Sequence, residues 1–277
     1  MNENKEKSDL SIMEDSMSSK QITQRLSTVD NAMSLLALFL KYESVGLIDI
    51  ERETGVSKTA AFRLAATMAD RGFLVKDVRT KRYYPGTILF QLVHKFQMND
   101  IVKVSEPYIQ ELANLTNESV YLSIRSGNNY IQLTGIHSSY PVKVTSTIGD
   151  EIELYLGAAG KIHMAHMAPS DFDNYMKRTE LKTYTPETIT APHLISQELE
   201  RVKQKGYALS LGEGFPDSGG ISAPIWGLGE EPAAALSLLI PLIRLTNEKQ
   251  QELIDLVVKY SNKITKEFIQ KDRPKLL

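Results

Sequence analysis

Lys76, Arg79, Lys81 and Arg82 place four cations within seven residues, a density suited to holding phosphate rather than to making or breaking bonds. Upstream, Ser57-Lys58-Thr59 sets short hydroxyl side chains beside a lysine, and Arg63 follows about one helical turn later. Hydroxyls and a helix N-terminus fix phosphates, while Lys and Arg reach the guanine acceptors of a major groove. Ser57, Lys58, Thr59, Arg63, Arg79, Lys81 and Arg82 are therefore the candidate DNA-contacting residues. For Arg63 a rival reading stands beside this one, in which it faces back and pairs with an acid of its own domain.

Residues 46–85 supply the elements that would position these side chains. Ile48, Ile50 and the corner Thr54-Gly55-Val56 predict a short helix and a sharp exit, where Gly55 can take positive φ. Ser57 then caps a second helix that buries Phe62, Leu64, Ala65 and Met68 at helical spacing. That helix ends at Arg71-Gly72, the strand Phe73-Leu74-Val75 follows, and the basic turn leads into Tyr83-Tyr84-Pro85. The order is that of a winged helix-turn-helix, whose second helix fits a major groove. The plainer alternative is a helical hairpin with a solvated basic edge; the polar helix start and the clustered cations favour DNA.

Other groupings that could do chemistry fall short of it. Asp217-Ser218-Gly219-Gly220 matches the surroundings of a serine-protease nucleophile, but a triad needs a base held against the serine. The one histidine nearby in sequence is His193, so the segment reads as a Gly-rich loop. Gly157-Ala158-Ala159-Gly160-Lys161 has part of a phosphate loop, with Tyr155 and Ile162 where a glycine and a metal-binding hydroxyl belong. His163 and His166 are spaced i, i+3 without an acidic or cysteine partner at ligand spacing. The expectation is no catalytic residue, no metal site and no cofactor.

The chain has 277 residues, 42% hydrophobic and 24% charged, an ordinary globular composition with length for about two domains. With no cysteine, disulfides, thiolate zinc sites and thiol nucleophiles are excluded. No apolar run approaches about 18 residues, and the N-terminus lacks the apolar core of a signal peptide. A cytoplasmic protein without a membrane partner is expected. The net charge of −2 conceals an asymmetry: residues 20–99 hold 12 Lys+Arg against 7 Asp+Glu, and both flanks are net acidic. A basic segment on an acidic body suits one domain that docks on phosphate and another that does not.

Four segments follow. Residues 1–26 are polar without sustained periodicity and read as a disordered tail. Residues 27–86 form the winged helix-turn-helix domain, entered by a helix capped near Thr28, Asp30 or Asn31 with Val29, Met33, Leu36 and Leu40 on one face. Residues 87–104 form a linker helix with Leu89, Leu92, Val93, Phe96 and Ile101 apolar. Residues 105–272 form an α+β domain, an antiparallel sheet with helices. After Pro107 a helix is predicted at 108–116, then a hairpin at 119–125 and 130–134 and a strand at 142–147. Helices at 158–168 and 198–205, strands at 207–211, 220–225 and 233–240, and a last helix at 247–268 complete it.

In this order the residues resemble the IclR family of bacterial transcription regulators, over nearly all of the chain beyond the tail. The DNA half matches at Leu47-Ile48-Asp49-Ile50, Thr54-Gly55-Val56, Ser57-Lys58-Thr59, Arg63-Leu64, Gly72-Phe73-Leu74, and Tyr83 ahead of Gly86. The C-terminal half matches at Gly157-Ala158-Ala159-Gly160-Lys161, Gly206-Tyr207, Glu213, Ala223-Pro224-Ile225 and Ala234-Ala235-Leu236-Ser237. The resemblance implies a homodimer or dimer of dimers that binds double-stranded operator DNA, with a small organic acid or aromatic compound as effector. It carries the effector pocket onto Ala158, Ala159, Ser210, Gly220, Ser237 and Leu239, with Tyr121 joining Leu239 over an apolar portion. The chain departs from the family at three of these. Ser210 stands where members often have an acid, Gly220 where many have cysteine, and Leu239 where serine is common. A roomier, less polar pocket is expected. The implied function is a ligand-responsive repressor of a metabolic or catabolic operon. The alternatives are an enzyme with an accessory DNA-binding domain and a ligand-independent architectural protein.

Overall fold

The computed structural model describes residues 26–89, 91–92 and 100–272, and the chain divides into two compact units between Phe96 and Gln97. The expected tail, apart from Leu26, lies outside the described residues, as do residue 90 and residues 93–99 of the expected linker helix. Among the described residues no helix is long and apolar enough to cross a membrane.

The first unit opens with α1 (Ser27–Ala37), which begins after Leu26 rather than at one of the polar caps expected. Of the face expected at Val29, Met33, Leu36 and Leu40, Leu36 packs against the core while Val29, Met33 and Leu40 are exposed; Leu35 and, just past the helix, Leu38 are buried. α2 (Leu47–Thr54) stops at Gly55, whose φ of 72° lets the chain leave the helix in the left-handed region. α3 (Lys58–Asp70) starts at Ser57, whose Oγ accepts the Ala60 N–H at 3.3 Å. The buried stripe of α3 is Ala61, Ala65 and Met68, and Phe62 is exposed. Small side chains face inward here because they let α3 lie close to its neighbours, so the largest side chain is turned out. β1 (Leu74–Lys76) and β2 (Tyr83–Pro85) pair antiparallel, and a bridge from Val45 to Tyr83 ties this hairpin to the helices.

In the second unit α4 (Asp100–Thr116) runs straight through Pro107, where the sequence reading ended one helix and began another. A proline removes one backbone donor and crowds the preceding turn. Burial of Ile101, Val104, Ile109 and Leu112 along α4 outweighs that loss. The sheet comprises β3 (Ser119–Ser126), β4 (Asn129–Ile136), β5 (Glu151–Glu153), β6 (Ala208–Leu211), β7 (Ser218–Trp226) and β8 (Pro232–Pro241). Their spatial order is β5-β4-β3-β8-β7-β6, and every neighbouring pair is antiparallel. The expected strand at 142–147 is a loop, and its place at the sheet edge is taken by β5. Residues 218 and 219, read as loop, open strand β7, two residues ahead of the expected start at Gly220.

Alternation along the strands divides the unit into two layers. Ile221, Ala223 and Ile225 of β7 and Ala234, Leu236, Leu238 and Ile240 of β8 face a core shared with α4 and α8 (Asn247–Asp272). The intervening residues face α5 (Gly157–Ala165), which is backed by α6 (Pro169–Arg178) and α7 (Pro192–Lys205). α6 was not foreseen, and α7 begins at Pro192, six residues earlier than expected. On the α5 face the register sets Ser210 opposite Gly220 and Gly220 opposite Leu239, with Ser222 opposite Ser237 in the next row. Residues far apart in sequence thereby share one patch of sheet.

Candidate functional site

In the first unit, Ser57, Lys58, Thr59 and Arg63 are all exposed on the N-terminal half of α3. Arg63 enters no ion pair among the described residues. The wing between β1 and β2 is shaped by Asp77, whose Oδ1 accepts the Arg79 and Thr80 N–H groups at 2.7 and 3.2 Å. Lys81 takes a φ of 58°, and both Arg79 and Lys81 project exposed from the turn. Lys76 stands over the rings of Phe62 and Tyr83, at 5.8 and 5.5 Å from their centroids.

Arg82 departs from its neighbours. Its guanidinium donates to Asp49 Oδ2 at 2.8 Å, to Ser44 Oγ at 2.8 Å and to the Ser44 carbonyl at 2.7 Å. The Asp49 carboxyl is held below the ordinary carboxylate range, chiefly by the Gly46 N–H it accepts and further by Arg82. The inward ion pair considered for Arg63 is thus made by Arg82.

In the second unit, the N-terminus of α5 opens onto a cavity of about 590 Å3. Ala158, Ala159, Ser210, Gly220, Ser237 and Leu239 all border it. No side chain caps α5, so its first N–H groups are available to an acceptor in the cavity. Tyr121 does not border the cavity. It is fully buried, its ring lies over Gly135, and its hydroxyl accepts the Ser146 N–H at 2.9 Å. Its role is to hold the loop that carries Ser146, which is itself part of the wall.

The lining is also more polar than the departures at 210, 220 and 239 imply. Ser222 and Ser237 hydroxyls lie 2.7 Å apart on the sheet face, and Gln132 of β4 reaches the same space. Asp150, Glu151 and Glu153 stand at the β5 side, while Lys, Arg and His are missing from the described lining. Gln132 and the Thr145-Ser146-Thr147 wall were not singled out in the sequence. The one signal was a glutamine among the inward positions of an alternating strand.

Lys161, the lysine of the apparent phosphate loop, anchors α5 instead. Its Nζ donates to Glu213 Oε1 at 2.6 Å, to the Leu209 carbonyl at 2.7 Å and to Glu198 Oε1 at 3.3 Å. Burial raises the Glu213 carboxyl above the ordinary carboxylate range, and the nearby ammonium opposes that rise. His163 is buried with Nε2 3.4 Å from Ser123 Oγ, and burial pushes it down to about 4, so it is neutral at pH 7. His166 lies edge-on to Trp226 at 4.8 Å. Ser218 borders the cavity, but its hydroxyl donates to the Phe215 carbonyl at 2.8 Å, and His193 is exposed on the first turn of α7.

Comparison with known proteins decides the family. Residues 28–78 match the IclR helix-turn-helix domain, and residues 93–266 match the family described as bacterial transcriptional regulator IclR C-terminal. The chain belongs to the IclR family of bacterial transcriptional regulators. It is 30% identical over 231 residues to the HTH-type transcriptional regulator KipR of Bacillus subtilis, covering 83% of this chain and 92% of KipR. To the transcriptional repressor IclR of Escherichia coli it is 22% identical over 225 residues, covering 80% and 82%. Its fold is shared with an IclR homolog of Microbacterium hydrocarbonoxydans crystallised with 4-hydroxybenzoate. That likeness has a TM-score of 0.79 at 18% identity and covers 87% of this chain and 98% of the other. As an IclR-family member the protein is a DNA-binding transcription regulator with an N-terminal helix-turn-helix and a C-terminal α+β domain.

Proposed function

We propose that this IclR-family regulator is a cytoplasmic repressor that holds its operator as a homo-oligomer and responds to a small organic acid or aromatic effector in the α5 cavity. In this reading Ser57, Lys58, Thr59 and Arg63 meet the major groove, and the wing cations Arg79 and Lys81 meet phosphate. Arg82 braces the wing from behind. The segment 87–104 joins the two domains in sequence and carries the response between them. The enzyme alternative loses ground because the hydroxyl of Ser218, the nucleophile considered in the sequence, is bonded to a backbone carbonyl and, among the described residues, to no base.

The observation that supports the effector reading most is that six positions scattered between 158 and 239 border one cavity at a bare helix N-terminus. The repressor part of the reading is supported by the name of the transcriptional repressor IclR of Escherichia coli. The DNA half is tested by fluorescence anisotropy on promoter fragments from the genes beside this one. Lys58→Ala and Thr59→Ala are expected to weaken specific binding roughly tenfold each while leaving the melting temperature alone, in line with about 1–3 kcal/mol per base-reading contact. Parental affinity in both variants rejects the assignment of α3.

A further inference from the structure

The largest apolar side chain of α3 is turned away from the core of its unit. Phe62 is 48% exposed, while Ala61, Ala65 and Met68 form the buried stripe. Single exposed apolar side chains are common on protein surfaces, so its place matters more than its exposure. Phe62 follows Lys58 by four residues and Thr59 by three, the separations that put side chains on one helix face, and Arg63 is its neighbour. Lys58, Thr59 and Arg63 are all exposed. From β1, the Lys76 Nζ stands over the Phe62 ring at 5.8 Å from its centroid, a cation–π contact that favours one position of the ring.

An apolar ring among cations suits few partners. A hydrophobic socket on another protein has to strip water from Lys58, Arg63 and Lys76 to reach it. The major groove of DNA meets both requirements, with phosphates for the cations and the thymine C5-methyl group as an apolar spot that phenylalanine contacts. We propose that Phe62 reads a thymine of the operator through its C5-methyl group. The Ser57 cap and the packing of Ala61 and Ala65 fix the turn of α3 that carries Phe62, so the ring meets the base edge already placed. The proposal rests on the reading of α3 as the helix that meets the major groove.

The test uses duplexes enriched from random-sequence DNA by the full chain, with affinity read by fluorescence anisotropy. Each thymine of the enriched site is replaced in turn by deoxyuridine, which lacks the methyl group and keeps every hydrogen-bonding atom. The parent is expected to lose roughly fourfold in affinity at one thymine of a half-site, the worth of one methyl group removed from water. Phe62→Gln is expected to bind the thymine and deoxyuridine duplexes equally well at that position, and Phe62→Ala carries the same expectation. Phe62→Leu, still apolar, is expected to keep a preference for thymine. A residue that only props Lys76 or the wing lowers affinity for both duplexes alike and leaves their ratio at the parental value. That ratio in folded Phe62→Gln or Phe62→Ala overturns the proposal, as does a parent indifferent to every deoxyuridine replacement. Enrichment of no sequence, or parental affinity of Lys58→Ala and Thr59→Ala for the enriched duplex, removes the groove reading itself and the proposal with it.

Discussion

His163 shows what one buried side chain does to the behaviour of its domain. Its ordinary value of 6.5 falls to about 4 in the folded chain, chiefly through burial, with Arg125 and His166 acting in the same direction. Between those two values the unfolded chain binds the proton that the folded chain refuses, so stability rises with pH across that window. The contribution is fully present above pH 6.5 and is lost as pH falls toward 4, an amount of roughly 3 kcal/mol. Urea denaturation at pH 7 and pH 4.5 should show a steeper loss for the parent than for His163→Leu; equal losses would falsify the assignment. The sequence marked His163 and His166 as a pair, but not that Ser123, forty residues earlier, would stand 3.4 Å from the His163 ring. Arg82 is a parallel case, because Ser44 and Asp49 lie 38 and 33 residues before it. Side-chain partners of this kind depend on how the elements pack, and local spacing carries no trace of it.

The wing divides its labour among side chains that look alike in sequence. Arg79 and Lys81 are exposed, while Arg82 is bonded to its own domain at three points. Each phosphate neutralised adds about 0.9 to the slope of log K against log salt, so Arg79→Ala with Lys81→Ala should flatten that slope by nearly ~2 units. Arg82→Ala should lower the melting temperature of the first unit and leave the slope close to the parental value, since it strands the half-buried Asp49. Salt titrations of DNA binding beside thermal melts separate the two outcomes; a double variant with the parental slope means the wing points away from DNA. Elements closed by local rules were legible in advance. Gly55 and Ser57 mark the corner between α2 and α3 by backbone conformation and capping alone. Elements decided by packing were not: α4 continues through Pro107, and the β-prone residues 142–147 form a loop because their backbone is bonded elsewhere.

For the molecule as a whole, the cavity and the proposed DNA surface belong to different units, so on this reading an effector acts only by favouring one arrangement of the chain over another. Coupling of this kind is usually about 1–3 kcal/mol, roughly a 5- to 150-fold change in operator affinity. Gly220 has only ordinary contact distances around it, 3.5 Å to the Ala158 Cβ from where its own Cβ would lie. An aromatic ring there extends into the cavity at the start of α5. Gly220→Phe should therefore lose the effector response and keep the operator affinity of the unliganded protein, measured by anisotropy with and without effector. A variant that still responds places the effector somewhere else. The two-unit plan and the antiparallel sheet were readable from turn signals and alternation, whereas the cavity floor was readable only through the family pattern, because its rows join residues from three strands.

The loop between β4 and β5 is fastened by hydrogen bonds from its own domain. Arg244 donates to the Val142 carbonyl at 2.8 Å and lies under the Tyr140 ring, Tyr121 holds Ser146, and the backbone carbonyl of Gln132 accepts the Gly149 N–H at 2.9 Å. A wall ordered in advance loses little freedom when a ligand enters, so entry need not wait for a segment to fold. Differences between ligands then fall mainly on how quickly each departs. On the proposed reading of the cavity as effector site, ligands are then told apart by dwell time more than by rate of entry.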